Sequence, residues 1–261
     1  MLILIYILKY LNKIMIKKFV EHAEAQFEPL TSFRLKDDLN PKVWEGDKIK
    51  KDIREQLLKI ANDYFSGLDL KDVDLKDIIL TGSLANFNWS DYSDFDLHLL
   101  IDFSDINEDT ELVKKYLDAA GKNWNDQHDI IIDGFDLEIY SQDVNEEHTS
   151  TGVYSLKNDK WIEKPSKQNF RPDEALIKKK AGDIMGTVKE LEGEFGEGVK
   201  DEVLQPKLAK IWKKIKDGRK AGLDRDGEFS IENLVFKLLR RNGFIEKIVT
   251  LKGKSYDKQF K

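Results

Sequence analysis

Between Leu80 and Phe103 the chain reads LTGSLANFNWSDYSDFDLHLLIDF, and this stretch limits the fold more than any other. From Asp94 carboxylate and apolar residues alternate (Asp94, Phe95, Asp96, Leu97), and the run then turns apolar up to Ile101. Residues two apart in a strand share a face, so Asp94 and Asp96 point one way and Phe95 and Leu97 the other. The segment Ser93–Asp102 is therefore expected to be a strand that starts at an acidic site and runs into a core. Upstream, Asp77–Thr81 (DIILT) is too short for a helix and is stopped by Gly82, so it reads as a second strand.

Around this centre the pattern is mixed. Asp52–Phe65 places Ile53, Leu57, Leu58, Ile60, Ala61 and Phe65 near helical spacing, and Glu111–Ala120 reads as another helix. LNPKVW is expected to be extended because Asn40 precedes Pro41. Asp129–Asp133, Gly134 and Phe135–Tyr140 read as two strands or one interrupted strand, and Thr151–Trp161 as a hairpin around Asn158-Asp159. From Asp173 the period becomes 3.6, with a helix carrying Leu176, Ile177, Ala181, Ile184, Met185 and Val188, then a break at GEFGEG. A lysine-rich helix Pro206–Ala221, a helix capped by Ser230 and stopped at Gly243, and a final helix complete the chain. The expected class is α/β in the α+β sense: a small mixed β-sheet core backed by helices, with a C-terminal α-helical region. Its expected divisions are an apolar extension 1–14, a helical segment 15–70 packed on the core, the core 71–165 and the helical region 166–261.

Length and composition bound the function. The 261 residues suffice for a sizeable core. A formal charge of −6 argues against a surface uniformly coated for nucleic acid and leaves a local basic face open. With no cysteine there is no disulfide partner and no thiolate metal site, and a reducing, cytoplasmic setting is expected. Any metal must take oxygen or histidine ligands. The apolar run Leu2–Leu8 is far short of the roughly 20 residues that span a bilayer. It also lacks the charge order of a signal peptide. Met1–Ile14 is read as an extension, with an amphipathic helix docked on the core as the alternative, and no membrane partner is expected.

Two carboxylates sharing a strand face repel, and a divalent cation is one remedy. Mg²⁺ takes oxygen ligands and is commonly held by one or two carboxylates plus substrate phosphates; Mn²⁺ is the alternative ion. The Gly82-Ser83 turn offers the complementary half, since glycine permits close approach of backbone N–H groups to a phosphate, aided by the Ser83 hydroxyl and a following helix start. A third carboxylate is expected on a neighbouring strand. FDLEIY supplies Glu138, preferred for its apolar neighbours Leu137 and Ile139, and Asp136 second.

A strand, Gly-Ser, a ten-residue gap, Asp-x-Asp and a later apolar-flanked acid resemble the DNA polymerase β-like nucleotidyltransferase superfamily over roughly Lys71–Tyr140. The string NFNWSDYSDFDLH, with LNPKVW and GEFSIENLVFKLLRRNG, is also similar to nucleotidyltransferase-like proteins of tailed bacteriophages. The resemblance implies an NTP held at Gly82 and Ser83, two Mg²⁺ ions at Asp94 and Asp96, and Glu138 beside the attacking hydroxyl. The implied reaction moves a nucleoside monophosphate to a hydroxyl of RNA, protein, a small molecule or a second nucleotide. A nucleotide-binding or interaction module of the same fold is the alternative, and the guanosine pyrophosphokinase pattern finds no match.

The remaining candidates are open between roles. His98 continues the Asp94–Asp96 face and either touches a phosphate or base or is a hydrogen-bonded support. His22, His128 and His148 lack metal-ligand spacing. Asn86, Asn88 and Tyr92 line a nucleotide pocket or simply build a loop, and Trp89 reads equally as a packing anchor. The lysines of Pro206–Lys220 form a solvated face or a polyanion groove, with Lys157, Lys160 and Lys164 as alternatives for a triphosphate. Leu234, Phe236, Leu238 and Leu239 read as core.

Overall fold

The computed structural model describes residues 30–146, 150–167 and 169–260. The expected extension Met1–Ile14, His22 and His148 lie outside them. The fold is α+β, and the chain forms two compact units, Ser32–Phe170 and a second that takes Arg171 onward. Among the described residues no helix is long and apolar enough to cross a membrane.

The first unit opens with a departure from expectation. LNPKVW is a turn, not an extended segment: Asn40 Oδ1 accepts from the Lys42 N–H at 2.9 Å, and the Val43 N–H donates to the Asn40 carbonyl at 3.0 Å. An asparagine side chain supplies a local acceptor that mimics a backbone turn, and the fixed φ of Pro41 suits the turn that follows it. A short hairpin follows, β1 (Trp44–Glu45) with β2 (Lys48–Ile49), and then helix α1 (Lys51–Gly67), which buries Ile53, Leu57, Ala61 and Tyr64.

Strands β3 (Leu75–Thr81) and β4 (Asp94–Ile101) form as expected and pair antiparallel. Helix α2 (Thr110–Gln127) carries the chain to the hairpin β5 (Ile131–Ile132) and β6 (Phe135–Asp143). A two-residue turn with Asp133 and Gly134 at positive φ separates them, so this region is two strands. Strands β7 (Val153–Ser155) and β8 (Lys160–Glu163) make the expected second hairpin. The six strands run in the order β5-β6-β4-β3-β7-β8, with β4 and β6 parallel. Helix α2 outlasts its expected end at Ala120 although Gly121, Asn123 and Asn125 are weak helix formers. Its last turns are fixed by tertiary contact: the Asn125 amide exchanges hydrogen bonds with the Ile139 carbonyl at 3.1 Å and N–H at 3.0 Å. Trp124 also packs edge-on against Tyr64.

The sheet has two unlike faces. Ile78, Leu80, Phe95, Leu97, Leu99, Leu137 and Ile139 join residues of α1 and α2 in one core. On the other face, among the described residues, Ile79, Leu100 and Val153 form a small apolar group. The neighbouring positions on that face are Asp94, Asp96 and His98 on β4 and Asp136, Glu138 and Tyr140 on β6.

The second unit is helical: α3 (Glu174–Gly196), α4 (Asp201–Asp226), α5 (Ile231–Arg241) and α6 (Phe244–Lys258). Asp173 caps α3, Ser230 caps α5, and Gly243 at φ +73° divides α5 from α6 as expected. The break at GEFGEG falls later than expected, because α3 continues through Gly193 to Gly196 while its buried stripe runs to Leu191. Helix α4 starts five residues before Pro206 and ends beyond Ala221. Pro206 near its start removes a single N–H, while Asp201 and Glu202 favour the N-terminus and Leu204, Leu208, Ile211 and Ile215 bury one side. Leu234, Leu238 and Leu239 are core, and Phe236 is half-buried beneath the Arg219 guanidinium, 4.1 Å away.

The β1–β2 hairpin ties into the region after β3. The Trp44 indole N–H donates to the buried Leu84 carbonyl at 2.7 Å, and its ring stacks on Trp161 at 4.6 Å. Trp44→Phe keeps an aromatic ring but orphans that carbonyl, so chemical denaturation should show a loss of about 1–3 kcal/mol.

Candidate functional site

Parallel pairing sets the geometry of the acidic face. Asp94 lies opposite Asp136, Asp96 opposite Glu138, and His98 opposite Tyr140. Ligand oxygens of Asp94, Asp96 and Glu138 lie within 4.8 Å of one another, and all three side chains are half-buried. This cluster could hold a metal ion, and three carboxylates suit a hard cation. Asp136, the second choice for the third acid, is exposed and outside the cluster.

Gly82 is required at the end of β3 on two grounds. Its φ of +73° and ψ of −160° form a backbone conformation that favours glycine. A Cβ there would also collide with the Asp96 carboxylate, approaching its Cγ to 2.8 Å. The turn thus presses its backbone against one of the three acids. Ser83 begins a three-residue 3₁₀ turn, Ser83–Ala85, and not the helix start expected from the sequence, so no helix dipole is available there. The buried residues Leu84 and Ala85 close the turn at once against the core. The Ser83 hydroxyl donates to Ser93 Oγ at 2.7 Å, and Ser93 Oγ accepts the Ser90 N–H at 2.9 Å, which joins the turn to the approach of β4.

The loop between the motifs is well anchored. Asn86 is buried and donates to Thr151 Oγ1 at 2.5 Å, Asn88 is also buried, and Tyr92 is exposed. Trp89 is a packing anchor whose indole N–H donates to the Asp38 carbonyl at 2.8 Å. Gly152 stands against the same turn, where any Cβ would strike the Ala85 carbonyl. Lys157 Nζ donates to the Leu75 carbonyl at 2.7 Å and Lys164 pairs with Asp47 at 2.6 Å, while Lys160 is exposed on β8. His128 stacks on Trp124 at 4.3 Å and bonds its carbonyl, a surface packing role.

His98 is held laterally. Its Nδ1 lies 2.9 Å from Gln142 Oε1, and its ring is 5.1 Å from that of Tyr140. Tyr140 is the residue the sequence reading passes over. Its hydroxyl donates to Glu138 Oε2, and burial, that bond and the charges of Glu138, Asp96 and Asp94 push its pKa well above the ordinary tyrosine range. The signal was available, because Tyr140 follows Glu138 by two residues and must share its face.

Two glycine substitutions separate backbone strain from the clash at the acids. Gly46 has φ +60° with nothing within 4 Å of the point a Cβ would occupy, whereas Gly82 adds the collision with Asp96. Both Gly46→Ala and Gly82→Ala should lose about 1–3 kcal/mol of stability from the positive-φ backbone. Only Gly82→Ala, like Asp96→Asn, should weaken Mn²⁺ binding followed by electron paramagnetic resonance. No family model matches this chain, and comparison with curated proteins and with solved structures finds no match.

Proposed function

We propose that the protein is a metal-dependent nucleotidyltransferase that moves a nucleoside monophosphate from an NTP to a hydroxyl and releases pyrophosphate. The observation that carries this reading is the approach of the Gly82 backbone to Asp96 within a three-carboxylate cluster. The turn that we propose binds phosphates and the cation site are thereby adjacent. Mg²⁺ is the ion best suited to such oxygen donors in company with phosphates, with Mn²⁺ able to replace it. Asp94, Asp96 and Glu138 would hold it, and it would supply charge neutralisation at the α-phosphate and a more acidic acceptor hydroxyl.

The chain's own residues account for the remainder. The Gly82-Ser83 turn leaves room for the Asp96 carboxylate where a side chain would collide, and its backbone N–H groups would bind the phosphates beside it. The acceptor oxygen forms a bond to the α-phosphorus while the bond from that phosphorus to the bridging oxygen breaks, and pyrophosphate leaves with the electron pair. Glu138 takes the hydroxyl proton and passes it to solvent. Tyr140 fixes the carboxylate that does so, by donating to Glu138 Oε2.

Incubation of the protein with each α-labelled NTP and Mg²⁺ or Mn²⁺, with and without acceptors, tests the reading; transfer of label with release of pyrophosphate is expected. Label in no product, together with retained nucleotide binding, would instead favour a binding module. Glu138→Gln should reduce turnover about 10²- to 10⁴-fold with NTP affinity nearly kept. Asp136→Asn should be mild, since Asp136 stands outside the cluster. The reverse ranking in steady-state kinetics would reassign the third acid.

A further inference from the structure

We propose that the helical unit binds a small amphipathic acid, a compact apolar body carrying one anionic group, in a cavity among α3, α4 and α5. The cavity, ≈ 330 Å³, is walled by Ile184 of α3, Ile211 and Ile215 of α4, and Val235 and Phe236 of α5. That volume is at the lower end for small-molecule sites and admits a single ring or a chain of medium length. Its lining belongs wholly to the second unit, and none of it takes part in the reaction proposed above. Gly218 keeps the space open. Glycine inside a helix is less favourable than a residue with a side chain, so its presence needs a reason. One turn further along α4, packing gives that reason at Gly222, where a Cβ would lie 2.8 Å from Ser230 Oγ. At Gly218 a Cβ would meet only Glu232 Cγ, at 3.9 Å, an ordinary contact. Gly218 lines the cavity, so the missing side chain enlarges the cavity and relieves no clash.

Charge selects an acid over a neutral or cationic ligand. The lining carries the cations Lys180, Lys214 and Arg219 against the acids Asp183 and Glu232. Glu232 is already met twice, by Lys180 at 2.7 Å and by Arg225 at 3.1 Å. The Arg219 guanidinium lies 4.1 Å from the centre of the Phe236 ring and donates to Asn233 Oδ1 at 3.1 Å, which sets a cation on the apolar wall. Lys214 is exposed and has no ion pair among the described residues, so it is available to a ligand at the edge of the cavity. The surroundings agree: residues 171–261 carry 22 basic against 16 acidic side chains, whereas residues 32–170 carry 17 against 30. An apolar body is favoured by the isoleucine, valine and phenylalanine walls, and the field of the unit favours a negative head on it.

Calorimetry on the full-length protein, without NTP or metal, compares octanoate with octanamide and 3-phenylpropionate with 3-phenylpropanamide, pairs alike in size and unlike in charge. At least one acid should bind at one site per chain, about tenfold more tightly than its amide, and the acid that binds distinguishes a chain from a ring. Gly218→Leu should fill the cavity and abolish binding while the melting temperature holds or rises, because leucine is the better helix former. Two substitutions of exposed residues should act in opposite directions: Lys214→Gln should weaken binding of the acid and Asp183→Asn strengthen it, each several-fold, with the amide unaffected. Saturation by neither acid, equal binding of acid and amide, or a preference indifferent to both charge changes overturns the proposal. So does full affinity in a folded Gly218→Leu protein.

Discussion

The parallel pairing of β4 with β6 is the constraint on which the candidate site depends. In that register Asp96 faces Glu138 across one inter-strand step, and Asp94 lies two residues away on the same face. A shift of one residue would turn Glu138 toward the helices and bring Leu137 or Ile139 to the acids. The register is held from the opposite face, where Phe95, Leu97, Leu137 and Ile139 are locked into a core with α1 and α2. Parallel strands need a crossover, and α2 supplies it while its Asn125 amide closes over the backbone of Ile139. The apolar half of each strand therefore places the acidic half.

Like charges brought this close are unfavourable unless something offsets them. Gly82 and Gly152 let two stretches of backbone approach where no side chain would fit, one against Asp96 and one against the Ala85 carbonyl. Trp44 secures the same turn from the β1–β2 hairpin through the Leu84 carbonyl. Ser83, Ser90 and Ser93 then connect the turn to the start of β4. From β6, Tyr140 steadies its strand neighbour Glu138 and Gln142 steadies His98 on β4. Glu138 is thus oriented by the Tyr140 hydroxyl, and Asp96 is placed against the Gly82 backbone.

The second unit shows how packing extends what local signals only begin. Asp173, Ser230 and Gly243 mark helix ends through caps and a left-handed residue, and these follow from local chemistry. The ends at Gly196 and Asp226 do not. They lie beyond glycine- and charge-rich positions that a sequence pattern treats as breaks, and burial of stripes ending at Leu191 and Gly222 carries the helices past them. Their lysines divide in the same way: Lys213 pairs with Asp217 at the i,i+4 spacing of its own helix, whereas Lys207 pairs with Glu194 of α3, a partner that spacing alone does not single out.

By itself the sequence determined the α+β class, the principal strands and the shared face of Asp94 and Asp96. These follow from periods of two and 3.6 residues and from the glycines that punctuate them. It also ranked Glu138 ahead of Asp136 as third acid; in the structure Glu138 joins the carboxylate cluster and Asp136 stands outside it. Only the tertiary structure decided that β4 and β6 run parallel, that Gly82 leaves room for Asp96, and that Tyr140 bonds Glu138. It also decided that the segment after Ser83 is a single 3₁₀ turn and that LNPKVW folds back. Periodicity reports which way a side chain faces along its own element. Which strand lies alongside, and what its atoms touch, depends on long-range pairing that no local pattern encodes.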